Sequence, residues 1–421
     1  MKSKNSVREV FVYADWEQKS NPFLLGMLSE ELLNNKAVLS FEYSGNWLSG
    51  KAMQSLDPDL KYFQGKQYLP EDKPNFGMFM DSSPDRWGRM LMKRRESILS
   101  KTENRKENFL TELDFLTGVS DISRMGGLRF KFKEDGEFVS TDKEIQVPPW
   151  SSLKQLEKAS YIIEHESSDK AENIKWLNML IAPGSSLGGA RPKASVADDK
   201  GHLWIAKFPS RSDEIDSGAW EFITNQLAVK AEINVQPAKL EKFSSKGRTY
   251  LSKRFDRREN GSRIHYASAM TLLGYQDGDS FKDNVSYLEI AELISELSSQ
   301  PKEDLEELWR RIVFNIMVKN TDDHLRNHGF LLERTGWRLS PAFDINPNVY
   351  GAGLSLNISE NDNSLSTDLA LSVTEYFRLT NKKATAIRSE VREAVKCWRK
   401  SAKIRDIPSG EINYMERAFL V

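Results

Sequence analysis

A short polar stretch, residues 320–327 (NTDDHLRN), constrains the fold of this chain more than any other feature. It follows a helix that we predict to begin at Pro301, because proline is favoured at the first helical position. Large apolar side chains recur along that helix at helical spacing, namely Leu305, Leu308, Trp309, Ile312, Val313, Ile316 and Met317. Residues 329–340 then predict a β-hairpin that turns at Gly336. A buried helix and a hairpin would therefore hold a loop of carboxylates and amides on a rigid frame, and such loops often carry chemistry.

The spacing of three polar residues indicates a particular chemistry. Asp322 is followed five positions later by Asn327, and Asp344 lies beyond the hairpin. Protein kinases use this arrangement: one carboxylate accepts the proton of the hydroxyl nucleophile, while an amide oxygen and a second carboxylate hold Mg²⁺ on the triphosphate. The alternative is that each residue only caps a helix or makes a turn. The three together, with a helix before and a hairpin between, favour the kinase interpretation.

Two histidines in the same region allow a second interpretation. His324 and His328 are four residues apart, a spacing that could form a zinc-binding face. The glutamate of the His-Glu-x-x-His pattern is missing, and Gly329 follows directly. We therefore expect His324 to brace the loop by hydrogen bonds.

Composition narrows the class of protein. The chain has 421 residues, of which 39% are hydrophobic and 29% charged, and a formal net charge of −1. This is typical of a soluble globular protein of two or three domains and gives no support to non-specific nucleic-acid binding. The single cysteine, Cys397, is expected to be a small buried side chain on a C-terminal helix. Without a signal-like or membrane-spanning apolar run, we expect a cytoplasmic protein with no membrane contact.

The first part of the chain predicts a small β-rich and helical domain. Residues 9–13, 24–28 and 37–43 predict an antiparallel β unit, residues 75–118 predict helices, and a strand follows at 125–132. We place the domain boundary near residue 147, at a Val-Pro-Pro-Trp linker.

One motif in this domain is singled out, Asp81-Ser-Ser-Pro-Asp-Arg-Trp-Gly-Arg89. We expect Ser83 to cap a helix that starts at Pro84. Asp85 and Arg89 would then form an ion pair four residues apart. Arg86 and Arg89 are expected to be structural, since they are far in sequence from the kinase-like motifs.

The middle of the chain predicts a nucleotide-binding region. Residues 183–193 (PGSSLGGARPK) contain three glycines and two serines, so backbone N–H groups could approach an anion closely. A hairpin follows and ends at Lys207, which resembles the strand lysine that contacts nucleotide phosphates in kinases. Glu221, on the next predicted helix, could pair with Lys207. Residues 249–257 predict a strand and connection where a kinase hinge would bind adenine. Each signal is weak alone, but their order is that of a kinase.

The chain resembles the HipA-type serine/threonine kinases, the toxin half of bacterial toxin–antitoxin pairs. The resemblance covers nearly the whole length. Its motifs are residues 81–89, 124–130, 186–193, 207–209, 254–257 and 320–327, together with Phe343 and Asp344. The Asn-x-Asp-x-His-x-x-Asn pattern is specific to this family and differs from the His-Arg-Asp of eukaryotic-type kinases.

The resemblance implies a role for each motif residue. Asp322 is the implied catalytic base, with His324 beside it, and Asn327 and Asp344 are the implied Mg²⁺ ligands. The implied contacts with ATP are made by Ser186, Leu187, Gly188, Gly189, Lys207, Asp344 and the backbone of Lys253–Phe255. Ser186 is also the implied site of an autophosphorylation that switches the kinase off.

The same resemblance implies a fold and partners. The expected class is α+β, with a HipA-type N-terminal domain at 1–147, a kinase N-lobe at 148–258 and a mainly helical C-lobe at 259–421. The implied partners are a protein substrate and a HipB-like helix-turn-helix antitoxin, with DNA contacted only through the antitoxin. The family's targets include aminoacyl-tRNA synthetases, but this sequence does not identify its own target.

The chain departs from the family at two places, and more than one function is compatible with its sequence. Some relatives carry Glu where this chain has Lys253, and Arg191-Pro192 replaces a more polar pair. Besides an active protein kinase, two functions stay open: a catalytically weak kinase fold that acts as co-repressor with its antitoxin, and a kinase for small molecules. The presence of Asp322, Asn327, Asp344 and Lys207 favours the active protein kinase.

Overall fold

The computed structural model describes residues 7–16, 22–33, 36–50, 55–70, 73–139, 147–165, 173–181 and 191–421. The strands are β1 (Val7–Ala14), β2 (Phe23–Leu33), β3 (Lys36–Tyr43), β4 (Gln67–Tyr68), β5 (Leu128–Lys131), β6 (Lys193–Ala197), β7 (Leu203–Lys207), β8 (Ala238–Glu241), β9 (Thr249–Lys253), β10 (His265–Ser268), β11 (Gly329–Glu333) and β12 (Gly336–Leu339). The α-helices are α1 (Gly45–Leu48), α2 (Gly77–Met80), α3 (Arg86–Thr102), α4 (Glu112–Thr117), α5 (Leu153–His165), α6 (Asn173–Ile181), α7 (Ser217–Lys230), α8 (Ala269–Leu273), α9 (Tyr287–Leu297), α10 (Pro301–Met317), α11 (Thr367–Ser372), α12 (Asn381–Val395), α13 (Trp398–Ile404) and α14 (Ser409–Met415). The predicted α+β class is confirmed.

The chain forms two compact units. The first consists of Met1–Ala206 with Asp256–Ala267, and the second of Lys207–Phe255 with Ser268–Val421. The predicted division into three domains, at 147 and 258, stays a prediction.

A five-stranded antiparallel sheet forms the first part of unit one. Its strand order is β4-β3-β2-β1-β5, so the three longest strands, β1, β2 and β3, lie inside it. Alternate side chains of β1, Val10 and Val12, are fully buried, and Phe41 of β3 and Phe130 of β5 are buried as well. This is the period-two pattern from which the β unit was predicted.

Helices complete unit one. α3 and α5 both pack against α6, and β6 and β7 form a hairpin that turns at residues 198–201. The helices predicted over residues 75–118 are present as α2, α3 and α4, and the predicted hairpin ending at Lys207 is confirmed.

The predicted cap of α3 is wrong. The N-cap is Asp85, whose carboxylate accepts from the amide of Gly88, while Ser83 Oγ donates to the carbonyl of Phe79 in the preceding turn. The predicted pair between Asp85 and Arg89 is also wrong. Arg89 instead forms a bidentate ion pair with Glu112 of α4, at 2.6 and 2.7 Å. Asp85 is drawn away from Arg89 because its side chain closes the helix end.

Helix α10 is the centre of unit two. It begins at Pro301, as predicted, and ends at Met317, and all seven residues of its apolar stripe are buried. α9 and α12 pack against it. The hairpin β11–β12 follows, with Phe330 opposite Leu339 and Gly336 opposite Glu333. The predicted frame around residues 320–327 is thus confirmed.

The C-terminal region is helical. Its helices α12 and α13 are separated at Lys396 and Cys397. Cys397 lies at this break and is partly exposed, so its predicted burial is wrong. None of the helices in the described ranges is both long enough and apolar enough to cross a bilayer.

Candidate active site

The polar loop starts where α10 ends. The amide of Asn320 donates to the carbonyl of Asn315 at 2.9 Å, and the amide of Lys319 donates to that of Ile316 at 3.2 Å. These two bonds form a Schellman-type helix end, in which Lys319 takes the left-handed conformation with φ 47°. A lysine there costs about 1 kcal/mol relative to glycine. The sharp turn from α10 into the loop therefore requires a strained backbone at Lys319.

Asp323 anchors the loop from inside. Its Oδ2 accepts hydrogen bonds from Tyr287 Oη at 2.6 Å, from Asn315 Nδ2 at 2.8 Å and from His328 Nε2 at 2.9 Å. Asp323 and these three partners are all buried. Burial would raise the pKa of Asp323, but His328 and the Tyr287 hydroxyl outweigh burial and lower it. Asp323 is therefore a buried carboxylate held in its charged form.

The sequence interpretation missed this anchor. It assigned the brace to His324, whose Nδ1 is buried without a hydrogen-bond partner among the described residues. His324 contributes through its backbone instead: its amide donates to the carbonyl of Asp322, and its carbonyl accepts from the amide of Asn327. The sequence does not distinguish the buried Asp323 from the exposed Asp322. The signal for this difference is the presence of polar partners on α9 and α10, Tyr287 and Asn315.

Asp322 is the neighbour of this anchor and faces the other way. Its side chain is exposed, as a group that must reach a substrate requires. Partial desolvation raises the pKa of Asp322, and the carboxylates of Asp344 and Asp323 raise it further against the opposing effect of His324. A raised pKa makes a carboxylate a better proton acceptor.

Asn327 presents an amide oxygen with no protein partner. Its Nδ2 donates to the carbonyl of Asp322 at 3.0 Å, which fixes the side-chain plane. Its Oδ1 is buried and has no hydrogen-bond partner among the described residues. A buried oxygen left unpaired costs stability unless something else contacts it. Hard oxygen atoms of this kind are the ligands that Mg²⁺ prefers.

A second group of charges lies at the end of β7. Lys207 Nζ lies 2.5 Å from Glu221 Oε1 on α7 and 2.5 Å from Asp344 Oδ1. Desolvation lowers the pKa of Lys207, but the two carboxylates raise it by more, so the ammonium group stays charged. The predicted pairing of Lys207 with Glu221 is therefore present in the structure.

Asp344 has an unusual backbone. Its φ is 58°, in the left-handed region that non-glycine residues seldom adopt. Besides Lys207, its Oδ1 accepts from Asn346 Nδ2 at 2.8 Å. Strained residues of this type concentrate where a side chain must be aimed in one direction.

The segment after Asp344 folds onto the polar loop of residues 320–327. Asn346 donates its amide to Asn320 Oδ1 at 3.1 Å, and Asn348 Nδ2 donates to Thr321 Oγ1 at 2.8 Å. Gly351 packs so closely that a Cβ there would lie 2.2 Å from Thr321 Oγ1. The two segments that carry Asp322 and Asp344 are therefore held together by direct contacts within unit two.

The candidate adenine-binding residues lie at the end of β9. The amide of Lys253 already donates to the carbonyl of Pro237 at 3.0 Å. Phe255 is buried and packs on Phe343, with ring centroids 5.4 Å apart. Phe343 directly precedes Asp344, so the two candidate regions share an aromatic contact.

The glycine-rich loop is the remaining predicted element. Ser186, Leu187, Gly188 and Gly189 lie outside the described residues, and their roles stay predictions. The described chain resumes at Arg191. Two residues on, Lys193 Nζ lies 2.7 Å from Asp85 Oδ2, and both side chains are at least 96% buried.

The residues present fit a magnesium nucleotide. Asn327 Oδ1 and the Asp344 carboxylate are oxygen donors, and Lys207 is a charged donor suited to phosphate. Across the described ranges, no three His, Cys, Asp or Glu side chains are grouped so that they alone could hold a metal ion. Two protein ligands suffice for Mg²⁺, which commonly takes its other ligands from phosphates and water.

A family model matches just over half of the chain, and one curated relative matches about a third of it. Residues 185–398, just over half of the chain, match the family model described as the HipA-like C-terminal domain. A curated protein of Sinorhizobium fredii named "Putative kinase Y4mE" is 28% identical over 154 residues, which is 34% of this chain. The match spans about a third of that relative's length, 33%.

One solved structure shows the same fold over nearly the whole chain. A chain from the complex of HipA, HipB and operator DNA of the Shewanella oneidensis MR-1 toxin–antitoxin system matches with a TM-score of 0.66. That match covers 97% of this chain and 94% of the other, at 16% identity. A proinflammatory kinase of Helicobacter pylori, CtkA, matches 54% of this chain at a TM-score of 0.41 and 13% identity, which supports no further statement.

Proposed function

The chain belongs to the family of proteins with a HipA-like C-terminal domain, and from this premise we propose that it is an ATP- and Mg²⁺-dependent serine/threonine protein kinase. The observation that carries the proposal is the convergence of Lys207, Glu221 and Asp344 within one unit. Lys207 and Asp344 are 137 positions apart, yet their charged atoms are 2.5 Å apart.

In the proposed reaction a substrate hydroxyl attacks the γ-phosphorus of ATP. The new O–P bond forms as the bond to the β–γ bridging oxygen breaks, and ADP leaves. Asp322 accepts the hydroxyl proton, for which its raised pKa and exposure suit it. Asp323 holds the loop so that Asp322 keeps this position.

Asn327 and Asp344 would hold Mg²⁺, which when bound neutralises charge on the phosphates. Lys207 would bind phosphate oxygens, with Glu221 orienting its ammonium group. The Lys253–Phe255 backbone would bind adenine.

We further propose the biological setting that the family resemblance implies. The kinase would act in the cytoplasm on a protein target, such as an aminoacyl-tRNA synthetase or another translation component, and arrest growth. A HipB-like antitoxin would bind it and would provide the only link to DNA. The fold likeness to a chain from a HipA–HipB–operator complex supports this setting.

Autophosphorylation of Ser186 is the proposed off switch. A phosphate there would add about −1.5 to −2 charges at neutral pH. Such a charge would compete with the γ-phosphate of ATP for the same donors, so ATP affinity should fall. The alternative is that Ser185 and Ser186 are only small residues of a turn.

The decisive experiment is phosphate transfer by the purified full chain. Labelled ATP and Mg²⁺ should label a protein in a bacterial lysate, and mass spectrometry should find phosphate on Ser186. The Asp322→Asn variant should do neither, although it should still bind ATP. Transfer by this variant at the unsubstituted rate would reject the assignment of Asp322. Nucleotide binding without any transfer by the unsubstituted chain would favour the co-repressor alternative.

Phosphate on Ser185 would move the site by one residue. Phosphate on neither serine, at saturating ATP, would reject the off switch.

A further inference from the structure

A carboxylate near the C-terminus contacts the start of the helix that carries Glu221. Glu411, on α14, uses Oε1 to accept from the amide of Asp216 at 2.9 Å and from Trp220 Nε1 at 2.7 Å. Asp216 is the N-cap of α7. The N-terminal turn of a helix has unsatisfied N–H groups and a partial positive charge, so an incoming carboxylate stabilises it.

The position of α7 matters because Trp220 directly precedes Glu221. Glu221 lies in the second turn and contacts Lys207 Nζ at 2.5 Å. A small movement of the first turn would therefore change the distance between Glu221 and Lys207. A group that fixes the first turn of α7 therefore affects the orientation of Lys207 through Glu221.

The other side of the same turn has no free space. A Cβ at Gly218 would lie 2.1 Å from the carbonyl oxygen of Arg248, which immediately precedes β9. The amide of Arg248 donates to Asp216 Oδ1 at 3.0 Å. The start of α7 is thus held from one side by the backbone before β9 and from the other by Glu411.

Aromatic packing joins the C-terminal segment to the same residue. Trp220 is fully buried, and its ring lies 6.3 Å from that of Trp398 and 6.0 Å from that of Phe419. Trp398 and Phe419 are stacked on each other at 4.4 Å. The apolar contacts fix the ring, and the hydrogen bond from Nε1 to Glu411 fixes its rotation.

From these contacts we infer that Glu411 is a positioning residue for the Lys207–Glu221 pair. Through Asp216 and Trp220 it sets the first turn of α7, which in turn sets Glu221 and the ammonium group that binds the nucleotide phosphates. The C-terminal helix α14 is then part of the support of the nucleotide site. This inference rests on the proposed kinase function.

The test compares three variants of the full chain. Glu411→Ala removes both hydrogen bonds and should raise the KM for Mg·ATP about tenfold, the effect of about 1.4 kcal/mol, with a smaller change in kcat. Glu411→Gln keeps an acceptor oxygen for the two N–H groups and should recover most of that loss. The matched control is Glu416→Gln, which removes an exposed ion pair with Arg399 from the same segment and should leave KM unchanged.

Two further measurements keep the inference testable. Calorimetry with ATP alone reports nucleotide affinity even if the unsubstituted chain transfers no phosphate, so failure of the proposed function and failure of this inference can be told apart. Trp220→Phe keeps an aromatic ring but loses the N–H, and it should give a KM between those of the unsubstituted chain and Glu411→Ala. If Glu411→Ala does not fold, Trp220→Phe tests the same hydrogen bond in its place.

The inference is overturned if Glu411→Ala lowers the melting temperature while the KM and ATP affinity of the folded protein stay unchanged. That result would leave Glu411 as a brace between helices with no influence on Lys207. An equal loss in Glu416→Gln would also overturn it, because the effect would then belong to the segment and not to the contact with α7.

Discussion

Lys207 Nζ lies 2.5 Å from Asp344 Oδ1, so the ammonium group proposed to bind phosphate contacts the carboxylate proposed to bind Mg²⁺. Lys207 stays charged in this arrangement, since the carboxylates around it raise its pKa despite its burial. If Mg·ATP binds as proposed, Asp344 would contact Mg²⁺ and Lys207 would contact the phosphates, so each residue would exchange its present partner for the nucleotide. The structure thus pairs the two groups that are proposed to bind the nucleotide.

This pairing predicts the effect of neutralising Asp344. Asp344→Asn suits the test because asparagine tolerates the left-handed φ of 58° found there. With one charged metal ligand lost, we expect Mg·ATP to bind about tenfold more weakly or worse, a loss of at least about 1.4 kcal/mol. Affinity for ATP without Mg²⁺ should change much less.

Calorimetry with and without Mg²⁺ measures both values. Asp344→Ala should show the same metal dependence together with a loss of stability from its backbone strain. An unchanged affinity of both variants for Mg·ATP would assign Asp344 a purely structural role.

Whether a part of this site can be predicted from the sequence depends on how many positions separate the residues in contact. The frame was predictable because α10 and the hairpin β11–β12 carry local periodicities over many residues. The anchor at Asp323 was not, because its partner Tyr287 is 36 positions away on another helix. Sequence spacing alone also gave Asp85 the wrong partner, since Arg89 is four residues away and Lys193 is 108. Local patterns fix elements, whereas buried polar pairs are fixed by tertiary packing.

The adjacent carboxylates Asp322 and Asp323 should respond in opposite ways to the same substitution. Asp322 has a raised pKa, so it contributes stability below its unfolded-state pKa that is lost as pH rises through the folded-state pKa. Its charge is therefore unfavourable at neutral pH. We expect Asp322→Asn to abolish phosphate transfer while the melting temperature stays the same or rises.

Asp323 has a lowered pKa, so its stabilising contribution is present above the unfolded-state pKa and is lost as pH falls through the folded-state pKa. Asp323→Asn should therefore destabilise the protein at neutral pH, by about 2–3 kcal/mol for a buried charged acceptor. Thermal unfolding at pH 7 compares the two variants directly. A larger loss in Asp322→Asn than in Asp323→Asn would contradict the division between a reactive and a structural carboxylate.

The pH dependence of turnover should report Asp322. A catalytic base acts only when deprotonated, and partial desolvation with nearby carboxylates raises the pKa of this one. We expect kcat/KM to fall on the acid side at a pH above the ordinary value for aspartate of 3.8. Melting temperatures at each pH show whether the protein is folded where activity falls. A plateau of kcat/KM down to the pH of unfolding would exclude a base of raised pKa.

Arg89 should be structural. Its bidentate pair with Glu112 joins α3 to α4, and its guanidinium lies 4.6 Å from the ring centroid of Phe115. Arg89→Ala should cost about 1–2 kcal/mol through the lost pair and the lost packing. Turnover per folded molecule should stay near that of the unsubstituted chain. Arg86, on the same helix, was also expected to be structural, but its side chain is exposed. It therefore provides the control, because Arg86→Ala should change stability by no more than about 0.5 kcal/mol. A loss of turnover without a loss of stability in Arg89→Ala would place this helix at a functional surface.

The buried pair between Asp85 and Lys193 allows the sharpest test of the first unit. Nζ of Lys193, the first residue of β6, lies 2.7 Å from Oδ2 of Asp85, the N-cap of α3. Asp85→Asn keeps a residue that caps helices well, so it isolates the lost charge. Because a buried lysine charge would then lose its carboxylate, we expect a cost of about 3–5 kcal/mol. Lys193→Met should cost a similar amount, since it removes the ammonium group that lies 2.7 Å from the Asp85 carboxylate.

The double variant removes both charges and should be more stable than the sum of the two losses predicts. Denaturant unfolding of the unsubstituted chain, the two single variants and the double variant measures this coupling. Strictly additive losses would mean that the two side chains stabilise the fold independently and that their contact contributes nothing.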